Sequence, residues 1–280
     1  MTSILFGLAT AAIFATSGLL YSRAVKIIGP WSALAWSMLV GLAIVVPFVV
    51  VAGIPADLGQ HAPGLLAGGA GNIAGLALAG FAFRVGKVGI VAPIIATEGA
   101  ISAVLAALAG QSIAPVIAFW LLLIVVGVMI SAIAPDPEPL KHERPVLAVV
   151  LSLLAAVAFG IGLFSSGSVS DDVPIPWLLL SARVLGILII FLPLVLTRNL
   201  RLTRGTVPFV IGIGVCEVAG TTTFALGAQF AIAVTSVLAS QFAPIAAVMA
   251  YVLFREKLGR LQITGVAVLV VAVTALSIAS

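Results

Sequence analysis

The feature that most constrains this chain is a succession of apolar runs, each about 20 residues long, separated by connections too short to form a domain of their own. Ten such runs can be read between charges and turn residues, at roughly 2–22, 31–52, 63–83, 89–109, 113–133, 146–167, 175–196, 206–227, 232–253 and 261–279. The chain is 62% hydrophobic and 8% charged, with a mean hydropathy of +1.34. A folded chain of this composition has too little polar surface to face water, so lipid must be its outer solvent. The expectation is an all-α membrane protein of ten transmembrane helices. Its 28 Gly and 15 Pro agree with that, because Gly lets membrane helices approach and neighbouring helices re-satisfy what Pro frees.

The charges test the count. Arg23 and Lys26 fall in the first connection, Arg84 and Lys87 in the third, and Lys141 and Arg144 in the fifth. Arg198, Arg201 and Arg204 fall in the seventh, and Arg255, Lys257 and Arg260 in the ninth. Only Arg183 lies elsewhere, while the second and sixth connections carry Asp57, Asp171 and Asp172. A miscounted helix would destroy this alternation. The positive-inside rule then places the odd connections in the cytoplasm and both termini outside. No basic residue precedes the first run, so it lacks the n-region of a secretory signal and is expected to be retained. Basic residues scattered beside apolar runs are membrane anchors, which excludes nucleic acid as a partner despite a net charge of +4.

The longest connection, Ala134 to Pro145, is Pro-rich and charged and divides the chain into residues 1–133, a linker 134–145 and residues 146–280. The halves can be laid over each other. Trp31 and Pro47 stand 146 residues before Trp177 and Pro193, Gly18 stands 144 before Gly162, and Gly69 and Gly71 stand 143 before Gly212 and Gly214. Each half holds an odd number of spans, so the second copy enters the membrane inverted, as its reversed charge pattern requires. The substrate of such an arrangement is expected near the midplane, between the copies.

Ten spans in two five-helix repeats resemble the drug/metabolite transporter superfamily in its EamA-type branch. Gln241-Phe242-Ala243-Pro244 and Phe254-Arg255-Glu256-Lys257-Leu258, followed by Gln262 and Gly265, carry the resemblance. Gln111 departs from it, standing where the Glu of a Phe-x-x-Glu pattern is expected. Within the superfamily the chain looks most similar to bacterial exporters of amino acids, the aromatic branch in particular. The resemblance implies outward transport of amino acids and related metabolites.

Ionisable groups at the bilayer centre cost at least about 2.5–3.5 kcal/mol, so each needs a reason. Glu98, Arg183 and Glu217 lie well inside predicted spans, joined by the polar Asn72 and Gln241. These mark the third, fourth, eighth and ninth spans as the lining of a central cavity. Thr97, Thr221 and Ser240 can either meet a substrate or bond their own helix backbone. Tyr21 and Trp36 can offer it aromatic surface or anchor an interface, and the latter role fits Trp31 and Trp177 at helix starts. Gly64-x-x-x-Gly68 and Gly71-x-x-x-Gly75 predict close packing of the third span. Gly71, Pro93, Gly214 and Pro244 are the candidate hinges.

The inventory also limits the substrate. Phosphorylated substrates need two or more cations at membrane depth, and there is one. Two Glu with one Arg suit a zwitterion, and apolar surroundings imply weak discrimination among side chains. One cysteine, Cys216, and two histidines in connections, His61 and His142, exclude an internal disulfide and a buried metal site, and no cofactor is expected. The absence of membrane-depth His and of a His-Glu-x-x-His motif argues against an intramembrane enzyme. A channel would show a repeated filter signature. Proton-coupled export of cationic drugs is the competing transporter reading. The expected partners are a small-molecule substrate and the lipid bilayer, for a monomer or weak homodimer.

Overall fold

A computed structural model describes residues 2–86, 88–111, 114–132, 144–242 and 244–246, with positions 249, 264, 268, 271 and 272. The elements in chain order are α1 (Thr2–Ile28), α2 (Pro30–Ala52), α3 (Leu58–Val85), α4 (Val88–Ile95), α5 (Glu98–Leu108) and α6 (Pro115–Ala132). There follow α7 (Pro145–Ser168), α8 (Ile175–Gly186), a π turn (Ile187–Phe191), α9 (Leu192–Leu196), a 3₁₀ turn (Arg204–Thr206), α10 (Val207–Ala228) and α11 (Ile232–Ala239). Among the described residues there is no strand. Six stretches are long and apolar enough to cross a membrane: Thr2–Ile28, Pro30–Ala52, Leu58–Val85, Val146–Ser168, Ile175–Leu196 and Arg204–Ala228. Lys87, Lys141, Arg255, Lys257, Arg260, the pattern from Phe254 to Gly265 apart from Thr264, the linker to Glu143 and most of the tenth expected span lie outside the described residues.

The fourth expected span is not one helix. It stops at Ile95 and restarts at Glu98 across an Ala96–Thr97 turn. The Thr97 hydroxyl donates to Ile94 O at 2.7 Å, and a side chain that takes a carbonyl three residues back competes with the helix ladder. The ninth expected span breaks in the same way. There α11 ends at Ala239, and Ser240 Oγ donates to Val237 O at 2.7 Å. Within 175–196 the ladder loosens once, where the Leu192 N–H reaches Ile187 O immediately before Pro193. The first connection also differs from expectation. α1 continues through Arg23 and Lys26 to Ile28, because both are good helix formers, and turns into α2 at Gly29 with φ 83°.

Packing sorts the helices into matched sets. α3 lies along α7 as α1 lies along α10, α5 meets α7 as α11 meets α1, and α3 meets α8 as α10 meets α2. α2 packs on α8 and α5 on α11. Glycines make the matching explicit, since a β-carbon there would strike the neighbour. Gly75 admits Phe159 and Gly220 admits Phe14; Gly69 admits the Ala182 backbone and Gly214 the Ser37 carbonyl; Gly41 admits Arg183 and Gly186 admits Met38. In every pair the partners exchange at one spacing of 145 residues. Gly64, Gly68, Gly71 and Gly75 all abut α7, so the small-residue stripe of α3 is a packing seam against that helix. The outer surface carries large apolar side chains such as Phe48, Val51, Leu153, Leu154, Leu188 and Ile189, as a lipid-facing belt does.

Candidate functional site

Between the two sets of helices lies a cavity of about 100 Å³. Its polar lining includes Ser17 and Tyr21 of α1, Asn72 of α3, Glu98 of α5, Ser166 of α7, Arg183 of α8, and Glu217 and Thr221 of α10. Phe14, Leu76, Phe83 and Phe224 supply much of the rest. The break before Glu98 puts that carboxylate at the N-terminus of α5, where unsatisfied N–H groups favour negative charge. Glu98 and Glu217 are each 4% exposed and Arg183 is 1% exposed. Several kcal/mol of desolvation per ion must therefore be offset by neighbours or a ligand.

The neighbours do this unevenly. Glu217 accepts a hydrogen bond from Ser17 Oγ at 3.0 Å and stands within electrostatic reach of Arg183 and Asn72. Arg183 has no carboxylate within salt-bridge distance among the described residues. One of its nitrogens, NH1, lies 3.7 Å from Met38 Sδ, while Nε and NH2 are buried without any partner. Asn72 Oδ1 is likewise buried and unpartnered. Each such group costs roughly 1–3 kcal/mol unless something in the cavity meets it. The site thus combines unpartnered donors on Arg183, an unpartnered acceptor on Asn72, and aromatic and aliphatic surface.

Six of the residues singled out from sequence meet here: Tyr21, Asn72, Glu98, Arg183, Glu217 and Thr221. Tyr21 is held by donating its hydroxyl to Leu76 O at 3.0 Å. Trp36, Thr97, Ser240 and Gln241 do not line the cavity. The Trp36 indole N–H is tied to Arg201 O at 3.1 Å, and its ring packs edge-on against Phe191. Thr97 and Ser240 turn back on their own helices, and Gln241 Nε2 does the same toward Val237 O. Of the candidate hinges, Gly71 and Gly214 sit at helix crossings, against Gly162 and against Val40 with Ser37. Pro93 lies within α4 ahead of its break, and Pro244 is buried just beyond the break after α11. Ser17 and Met38 were not legible from sequence. A hydroxyl and a thioether inside an apolar run carry too small an insertion cost to stand out.

Comparison with known proteins bears on the first half of the chain and on the fold. The EamA-like transporter family matches residues 1–133, in agreement with the resemblance to the drug/metabolite transporter superfamily. The match falls on the first half, which also contains the departure at Gln111. No curated protein sequence matches the chain. Among solved structures, one titled only as a crystal structure of a protein superposes with a TM-score of 0.77 at 16% identity. It covers 99% of this chain, and 96% of its own length is covered in return. At that identity it speaks for the fold alone.

Proposed function

Taking residues 1–133 as a segment of the EamA-like transporter family, we propose that this chain exports amino acids and related zwitterions across a bacterial inner membrane by alternating access. The observation that carries the reading is Arg183, buried in the wall of the cavity that both carboxylates also line, with Nε and NH2 unpartnered. In it the substrate carboxylate meets Arg183, and the ammonium meets Glu98, Glu217 and the free Oδ1 of Asn72. Phe14, Phe83 and Phe224 take the side chain by apolar contact. Such contact distinguishes side chains weakly, which suits an exporter of broad specificity.

The architecture we propose is ten spans in two inverted five-helix repeats. It is supported by the matched helix pairs, by glycine contacts that exchange at a spacing of 145, and by the equivalent breaks at Thr97 and Ser240. Two inverted copies can exchange conformations, which yields outward-open and inward-open states of equal construction. Both termini would then face outside, in a monomer or weak homodimer.

Flux of radiolabelled L-phenylalanine into proteoliposomes tests the function. Expected is saturable uptake, competed by other amino acids and independent of an imposed pH gradient, as for a facilitator. Accumulation driven by the pH gradient would instead favour exchange against protons. Substrate-independent ion conductance with no saturable flux would overturn the carrier reading.

A further inference from the structure

Arg183 and Met38 occupy equivalent places in the packing. They stand 145 residues apart on α8 and α2, two helices packed against each other. Each side chain fills a notch left by a glycine of the opposite helix. A β-carbon on Gly41 would fall 2.5 Å from Arg183 Nε, and one on Gly186 would fall 2.5 Å from Met38 Cγ. Their tips meet, NH1 against Sδ at 3.7 Å, and both side chains are buried. A thioether is a weak acceptor without charge. It therefore holds the guanidinium without neutralising it, and Nε and NH2 keep no protein partner.

From this geometry we infer that Met38 is a specificity-determining residue: it orients Arg183 and fills the place where a second cation would stand, limiting the site to one carboxylate. The inference rests on the reading of Arg183 as the partner of the substrate carboxylate. A monoanionic headgroup needs one guanidinium. A dicarboxylate adds negative charge to a cavity that already holds Glu98 and Glu217, and only a second cation at the same end would offset it. A carboxylate at position 38 would do the opposite and consume the guanidinium from within.

Calorimetric binding of L-phenylalanine and of phenylsuccinate to the purified full-length protein tests this. Arg183→Met is expected to weaken L-phenylalanine binding by about tenfold or more, the loss of a charge-assisted pair. Arg183→Met combined with Met38→Arg restores it to near the wild-type value, because the cation is delivered to the same point from the other helix. Met38→Arg alone gains phenylsuccinate affinity by about tenfold. Met38→Glu loses L-phenylalanine binding as Arg183→Met does, and this single variant decides the matter if the double variant aggregates. If Arg183→Met impairs binding but Met38→Glu binds like wild type and Met38→Arg gains no phenylsuccinate affinity, this inference fails while the carboxylate role of Arg183 stands. Wild-type L-phenylalanine binding by Arg183→Met would overturn both.

Discussion

At the scale of residues, burial separates what can be read in advance from what cannot. Glu98, Arg183 and Glu217 stood out because a charge inside an apolar run is costly, and all three meet in the cavity wall. Thr97 and Ser240 share the chemistry of Thr221 but serve their own backbones, a choice that the local turn makes. The Ser17 bond to Glu217 joins α1 to α10, residues 200 apart in sequence, so nothing local announces it. Glu98→Gln and Glu217→Gln keep the volume and remove the charge. At least one is expected to lower L-phenylalanine flux in proteoliposomes by about tenfold or more while reconstituting normally. Full flux in both variants would mean that the cavity is not the substrate's route.

Among the elements, the α3–α7 seam makes the clearest prediction. A β-carbon on Gly71 would lie 2.6 Å from Ala158 O and 2.7 Å from Gly162 Cα, backbone atoms that cannot swing aside. Gly71→Val is expected to destabilise the protein by about 1–3 kcal/mol through overpacking, seen as a lower Tm in detergent. Gly59, exposed near the start of the same helix with no atom within 4 Å of its would-be β-carbon, is the comparison. Gly59→Ala should leave Tm unchanged or slightly raised. An unchanged Tm for Gly71→Val would refute close packing at the crossing. The small-residue spacing of α3 predicted a packing face, whereas the split of 89–109 into α4 and α5 was hidden. Apolar periodicity does not register a hydroxyl bonding back three residues.

For the whole molecule, hydrogen bonds from indoles join distant parts of the chain. Trp177 Nε1 donates to Gly53 O at 2.8 Å, just past the end of α2, and Trp36 Nε1 donates to Arg201 O, in the connection after α9. The backbone also turns left-handed at Gly53 (φ 70°) and at Arg198 (φ 55°), at the spacing of 145 found in the glycine contacts. His61, between Asp57 at 3.5 Å and Asp172 at 3.8 Å, joins the two acidic connections on one face. The charge asymmetry of the connections predicts that this is the outer face. Alkaline phosphatase fused to the C-terminus is therefore expected to be active in intact bacteria. A fluorescent, cytoplasmic reporter at that position would reverse the assignment of sides.

By itself the sequence determined the solvent of this protein, the helices as its elements and the charged groups worth asking about. Each follows from a transfer cost that a single residue or a single run of residues incurs wherever it sits. The tertiary structure decided which of those groups share a cavity, where the predicted spans break, and that Arg183 lies beside an uncharged thioether with two of its nitrogens unmet. Those outcomes depend on which helix faces which. Helix pairing is set by glycine notches and side chains brought together from about half a chain length apart, a distance over which local sequence pattern carries no information.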